Sequence, residues 1–160
     1  MQGNPELLRL LGQIDPHQPY GHELFNALAR LMPTVAVEAV CLSPSLRGTE
    51  ILLTQRKANE SYPSQWHCPG SILRIGEEFE DVFKRLEQHE FGCQLLSKEF
   101  IGNLNNPEEV RGHGLSMVYL CEVEAEPPKG QWFLLDNLPE NMVSFHRDHL
   151  IPFVLENLEI

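Results

Sequence analysis

GEEFEDVFKRLEQHEFG, residues 76–92, decides the fold. Phe79, Val82, Phe83 and Leu86 recur at the three-and-four spacing of one apolar stripe, which predicts an amphipathic helix. Glu77, Glu78, Glu80 and Asp81 crowd its first turn, where acids complement the positive end of the helix dipole. Glu80–Lys84 and Asp81–Arg85 are spaced to pair one turn apart, and Gly92 is a natural stop. The last eight residues, RLEQHEFG (85–92), place their polar groups unevenly. Arg85 and Glu87 belong on the wet side, whereas His89 and Glu90 fall on or beside the apolar side. An acid at the stripe's end must reach water, a partner or a cation, because an unpaired buried carboxylate is costly.

Before this helix, residues 5–13 and 22–32 have helical spacing, the second with Leu24, Leu28, Leu31 and Met32 on one face and Pro33 as its stop. DPHQPYG separates the two. TVAVEAVCLS (34–43) is rich in β-branched residues and predicts a buried strand, with ILLTQR (51–56) returning as its hairpin partner. WHCPG predicts a short strand entering a turn. After the helix, residues 93–104 and 115–126 read as strands, and QWFLLDNLPE as a strand running into a loop. Residues 147–159 read as a closing helix limited by Pro152. Helices, hairpin, helix, strands and helix in that order predict one mixed α/β layered domain.

Composition narrows the function. The chain has 160 residues, 42% hydrophobic and 22% charged, which suits a single core. Its start lacks the basic residues and long apolar run of a signal peptide, and no apolar run would cross a bilayer, so a cytoplasmic protein without membrane contact is expected. The four cysteines form no CxxC pair, which argues against a cysteine-based zinc site. Cys41, Cys68 and Cys121 read as packed thiols. A net charge of −11 argues against nucleic acid as a partner and would repel a free polyphosphate unless a cation reverses the local field.

Residues 71–93 resemble the box of the Nudix hydrolase family: Gly, five residues, Glu, seven residues, then Arg-Glu-apolar-any-Glu-Glu-any-Gly-apolar. Glu77, Arg85, Glu90 and Gly92 match. Ser71 stands in place of the first Gly, Leu86 of the Glu after Arg, Glu87 of an apolar residue and His89 of the next Glu. TVAVEAVCLS with ILLTQRKA resembles the family's leading hairpin, YPSQWHCPGS its approach to the box, and WFLLDNLPENMVSFHRDHLIPF its tail. The resemblance implies a Nudix-like α/β/α sandwich with a mixed β-sheet over residues 34–160, preceded by an N-terminal helical extension, residues 1–33.

It also implies a chemistry. The family cleaves a diphosphate linkage in a nucleoside diphosphate derivative or similar small organic diphosphate, using a divalent metal, magnesium or manganese, held by acids of the box. Of those acid positions only Glu90 keeps a carboxylate here. His89 beside it is a nitrogen donor that suits zinc, manganese or nickel better than magnesium, and its plainer role is a helix-end His facing the dipole. The expected catalytic set is Glu77, Arg85 and Glu90, with Glu90 and His89 at the metal. Arg56, at the end of the second hairpin strand, is expected on phosphate. Arg111 and His113 are expected to bind substrate, from a loop that also holds Glu108 and Glu109. The alternative is a Nudix-fold module that binds a ligand or partner without cutting it. Dimerisation through the N-terminal helices is compatible with either.

Overall fold

Strand β1 runs the length Thr34–Ser45 and organises everything else. The computed structural model describes residues 3–18, 21–124 and 126–158. Outside these lie Met1 and Gln2 of the extension, Pro19 and Tyr20 of the break between its helices, Ala125 near the end of the strand expected over 115–126, and Glu159 at the end of the closing helix. Helices α1 (Pro5–Leu11) and α2 (Gly21–Ala29) precede β1. Then follow β2 (Gly48–Gln55), β3 (Trp66–His67), β4 (Gly70–Ile72), α3 (Phe79–Leu86), β5 (Leu95–Asn106), β6 (Gly114–Val123), β7 (Gln131–Leu134) and α4 (Ile151–Asn157). Single π-helical turns extend α3 over Glu87–Phe91 and open α4 over His146–Leu150.

The sheet is mixed. Its spine is β3-β2-β1-β6-β5, with β4 on β1 and β7 on β2. The central β1–β6 strand pair is parallel, from Thr34 opposite Gly114 to Cys41 opposite Cys121. One edge of β1 is shared: residues 36–38 pair with β4 and residues 42–45 with β2. That sharing brings β4, and with it the entrance to α3, next to the middle of the sheet.

Alternation along the strands gives the sheet two apolar faces. Val37, Ala39, Cys41 and Leu52 face α3, where Val82, Phe83, Leu86 and Phe91 close the core. Val40, Ile51, Leu53 and Val118 face α4 through Leu150, Ile151 and Val154. The result is the expected α/β/α layering. The extension is wetter than its leucines suggest. α1 is capped by the Asn4 side chain, which accepts from the Glu6 and Leu7 amides, yet none of its residues is buried. α2 ends at Ala29 rather than at Met32, because Met32 precedes Pro33 and is steered away from helix. Leu31 and Met32 therefore stand exposed instead of completing an apolar face.

Candidate active site

α3 begins two residues later than the acidic run suggests. Glu78 is its N-cap, in a reciprocal capping box with Asp81. Glu77 thus lies in the preceding loop, where it forms an ion pair with Arg85 Nη1. Its other oxygen accepts the Arg74 amide at 2.8 Å. Arg85 Nη2 donates to the Ile72 carbonyl at 2.8 Å and to Ser71 Oγ at 3.2 Å. One guanidinium therefore ties α3 to β4 and to the loop between them. The expected Asp81–Arg85 and Glu80–Lys84 pairs do not form. Arg85 is taken by Glu77, Asp81 sits 3.7 Å from Lys84, and Glu80 bonds Lys98 at 2.7 Å.

At the other end of α3 the π-helical turn carries the remaining polar residues. Leu86 is buried in the core and offers no donor atom. Glu87 Oε1 accepts the Leu95 amide at 2.9 Å, so this acid caps the start of β5. Glu90 turns inward. Thr54 Oγ1 donates to its Oε2 at 2.9 Å, and His67 Nε2 lies 3.2 Å from the same hydroxyl and 3.9 Å from the carboxylate. Thr54 has one proton. With that proton on Glu90, His67 Nε2 carries a hydrogen to complete a chain from imidazole through hydroxyl to carboxylate. His89, next to Glu90, is exposed, and its carbonyl accepts from Lys129 Nζ at 3.2 Å. Neighbours on an α-helix diverge by about 100°, so His89 and Glu90 leave the backbone in different directions.

Behind this chain lies a set of buried titratable groups. Burial, then the neighbouring His146, holds the His67 imidazole well below the usual range. Burial and the Arg56 charge bring His146 down to about 3, and its Nδ1 accepts the Cys68 amide at 3.1 Å. Both rings are neutral at pH 7. Burial pushes the Glu38 carboxyl up to about 8, against a hydrogen bond from Ser116 and the charges of Arg56 and Arg111. Its Oε1 accepts from Ser116 Oγ at 3.4 Å, while Oε2 has no partner among the described residues. Gly70 leaves room for Oε2, since a Cβ there would come within 2.1 Å of it.

Arg56 is half-buried beside Glu60 and donates to the Ser61 carbonyl. Arg111 Nε donates to Glu109 Oε1 at 2.9 Å. His113 pairs with Asn105 through its ring. Glu77 with Arg85 forms one assembly and Glu90 with Thr54 and His67 a second, and the charges of Arg56 and Arg111 act on Glu38. Thr54, His67 and Glu38 escape sequence reasoning. Glu38 had a readable signal: it is the one acid in TVAVEAVCLS, a strand otherwise apolar enough to be buried. Thr54 and His67 had none, because only the fold brings β2, β3 and the end of α3 together.

Magnesium takes oxygen donors and usually keeps several waters. Among the described residues no three His, Cys, Asp or Glu side chains gather to hold an ion. The donor set does not fit a resident ion caged by protein. Glu90, whose side chain is 29% exposed, is the box carboxylate that would offer an oxygen donor to an ion shared with a phosphate ligand.

The NUDIX domain profile matches residues 32–152. The chain belongs to the Nudix hydrolase family. Over 129 residues it is 27% identical to the ADP-ribose pyrophosphatase of Methanocaldococcus jannaschii, covering 76% of this chain and 72% of that one. The Nudix domain of Shewanella oneidensis NrtR, solved with ADP ribose, superposes with a TM-score of 0.64 at 20% identity, over 94% of this chain and 97% of that one. The same organism's NrtR complexed with a 27mer DNA superposes with a TM-score of 0.62 at 19% identity, over 78% of this chain and 61% of that one. This last likeness corrects the exclusion of nucleic acid drawn from net charge. A protein with this Nudix fold has been solved on DNA, so a negative total charge does not exclude such a partner; local charge, not the sum, governs contact with phosphates. Among the described residues no helix is long and apolar enough to cross a membrane.

Proposed function

We propose that this Nudix protein hydrolyses the diphosphate linkage of a nucleoside diphosphate derivative of the ADP-ribose class. The observation that carries the proposal is the chain from His67 through Thr54 to Glu90 at the end of the box turn. The pyrophosphatase relative and the NrtR domain solved with ADP ribose support the substrate class.

Water attacks one phosphorus of the diphosphate. The new oxygen–phosphorus bond forms as the bridging oxygen leaves with its phosphate, and the water proton passes to the Glu90 carboxylate. Thr54 donates to Glu90 and fixes its orientation, with His67 holding the hydroxyl from behind. Glu77 and Arg85 hold the loop and α3 in register, and Arg56 meets a phosphate oxygen. A divalent ion held by Glu90 and a substrate phosphate would supply neutralisation of charge on the leaving phosphate. Arg111 and His113 are proposed substrate contacts, and His89, exposed beside Glu90, would be a further donor to that ion.

The test is turnover of ADP-ribose with magnesium or manganese by wild type, Glu90→Gln and Thr54→Val. Metal-dependent turnover that falls about 100-fold or more in Glu90→Gln, and less in Thr54→Val, is the expected result. One observation favours a second reading, ligand binding without cleavage: Leu86 is buried in the core where the family box has an acid. Tight binding of ADP-ribose by folded protein with no turnover under any metal would establish that reading and remove the first.

A further inference from the structure

In a chain with a net charge of −11, three of the twelve Lys and Arg residues, Arg30, Arg56 and Arg111, gather at one cleft. The cleft holds about 310 Å³ and is lined by Asn26, Arg30, Ser61, Tyr62, Val110 and Arg111, with Arg56 behind Ser61. Its walls come from three separate places: α2 and the residue after it, the loop after β2, and the loop before β6.

Three contacts fasten these walls. Gly112 approaches the end of α2 so closely that a Cβ there would lie 2.0 Å from the Ala29 carbonyl oxygen, and its φ of 150° is one that side chains rarely adopt. The Glu109 carboxylate joins the two loops, accepting from Arg111 Nε at 2.9 Å and from the Tyr62 hydroxyl at 3.5 Å. The Arg111 guanidinium lies 5.8 Å from the centre of the Phe25 ring on α2. The loop that presents Tyr62 is itself strained: Tyr62 and Ser64 hold φ of 55° and 61° without being glycine. Strain of this kind survives where surroundings enforce it, and it concentrates at ligand clamps. Arg30 stands exposed at the cleft wall and forms no salt bridge among the described residues.

We infer that this cleft receives the nucleoside monophosphate end of the ligand, and that α2, ahead of the matched Nudix domain, is one wall of the site. Arg30 and Arg111 hold the phosphate, Tyr62 packs against the base, and Asn26 offers an amide to its polar edge. The inference rests on the proposed function: Arg56, which meets a phosphate oxygen there, bonds Ser61 at the cleft wall.

Titration calorimetry with ADP-ribose and with AMP, without added metal, tests this on wild type, Arg30→Ala and Gly112→Ala, with Arg9→Ala as control and ADP-ribose hydrolysis measured in parallel. Loss of one charged hydrogen-bond partner weakens binding about tenfold or more. That loss is expected for both compounds in Arg30→Ala and Gly112→Ala and not in Arg9→Ala. If Gly112→Ala fails to fold, the exposed Arg30→Ala decides alone. Wild type that binds AMP through Arg30 but never hydrolyses a diphosphate upholds the cleft and removes the hydrolase proposal. Hydrolysis with unchanged KM in Arg30→Ala overturns the cleft and leaves the hydrolase proposal standing. Folded wild type that binds neither compound and turns over nothing overturns both.

Discussion

Leu86, Glu87, His89 and Glu90 show how much one side chain's surroundings decide. In sequence they are four deviations or matches within five residues of one motif. In space Leu86 is core, Glu87 caps β5, His89 is wet and only Glu90 reaches polar partners. Reinstating acids at the two altered positions therefore has unequal effects. Leu86→Glu puts a carboxylate among Val37, Val82 and Phe83 and is expected to cost about 3–5 kcal/mol, whereas His89→Glu at an exposed position stays within about 0.5 kcal/mol of wild type. Urea unfolding of both variants measures this; equal stability would mean that residue 86 is not held in the core. The apolar stripe made Leu86 legible in advance. The inward turn of Glu90 was only half legible, since its partners Thr54 and His67 are contributed by β2 and β3.

At the scale of elements, α3 was the most legible and still the most revised. Val82, Phe83 and Leu86 are buried as their spacing predicts, while Phe79 at the first turn stays partly exposed against Tyr119. The start was misread because acids before a helix and acids inside its first turn look alike in sequence. Arg85 separates them by drawing Glu77 into the loop. The finish was read at the right residue but not in the right form. Gly92 adopts φ of 74° after a widened π-helical turn, and a Cβ there would meet Pro128 Cγ at 2.7 Å. Gly92→Ala is therefore expected to lower stability by about 1–3 kcal/mol, read as a lower urea midpoint at unchanged m-value. An unchanged midpoint would show that this turn tolerates relaxation. The strands were legible from their β-branched runs, although β5 carries two irregularities of register, at Leu95/Ser97 and Phe100/Gly102, that no local pattern announces.

Across the whole molecule, buried titratable groups give stability a maximum in pH. Glu38 keeps its proton in the folded chain up to about 8, while in the unfolded chain it ionises near 4.5, so its contribution is complete at low pH and is lost as pH rises between those values. His67 and His146 act in the opposite sense. Neutral when folded and protonated below 6.5 when unfolded, they withdraw stability as pH falls below that value. Two imidazoles outweigh one carboxyl on the acid side, and the carboxyl alone acts on the alkaline side, which places the maximum near pH 6.5. Each net proton changes stability by about 1.4 kcal/mol per pH unit. Urea unfolding from pH 5 to 9 should show this dome, with the decline above neutrality flattened in Glu38→Gln; a variant declining as steeply as wild type would show that Glu38 is ionised when folded. The layered class and the central strands were legible because burial writes itself as apolar runs. The parallel partnership of β1 with β6 was not, because nothing local in either strand names the other. That partnership sets an order of events during synthesis. Thr34–Cys41 has no inner neighbour until Gly114–Cys121 has left the ribosome, so the emerging chain carries this apolar strand with one edge unpaired until then. A late-closing centre of this kind gives a high contact order, and folding limited by that single long-range closure rather than by the hairpin or either helix layer.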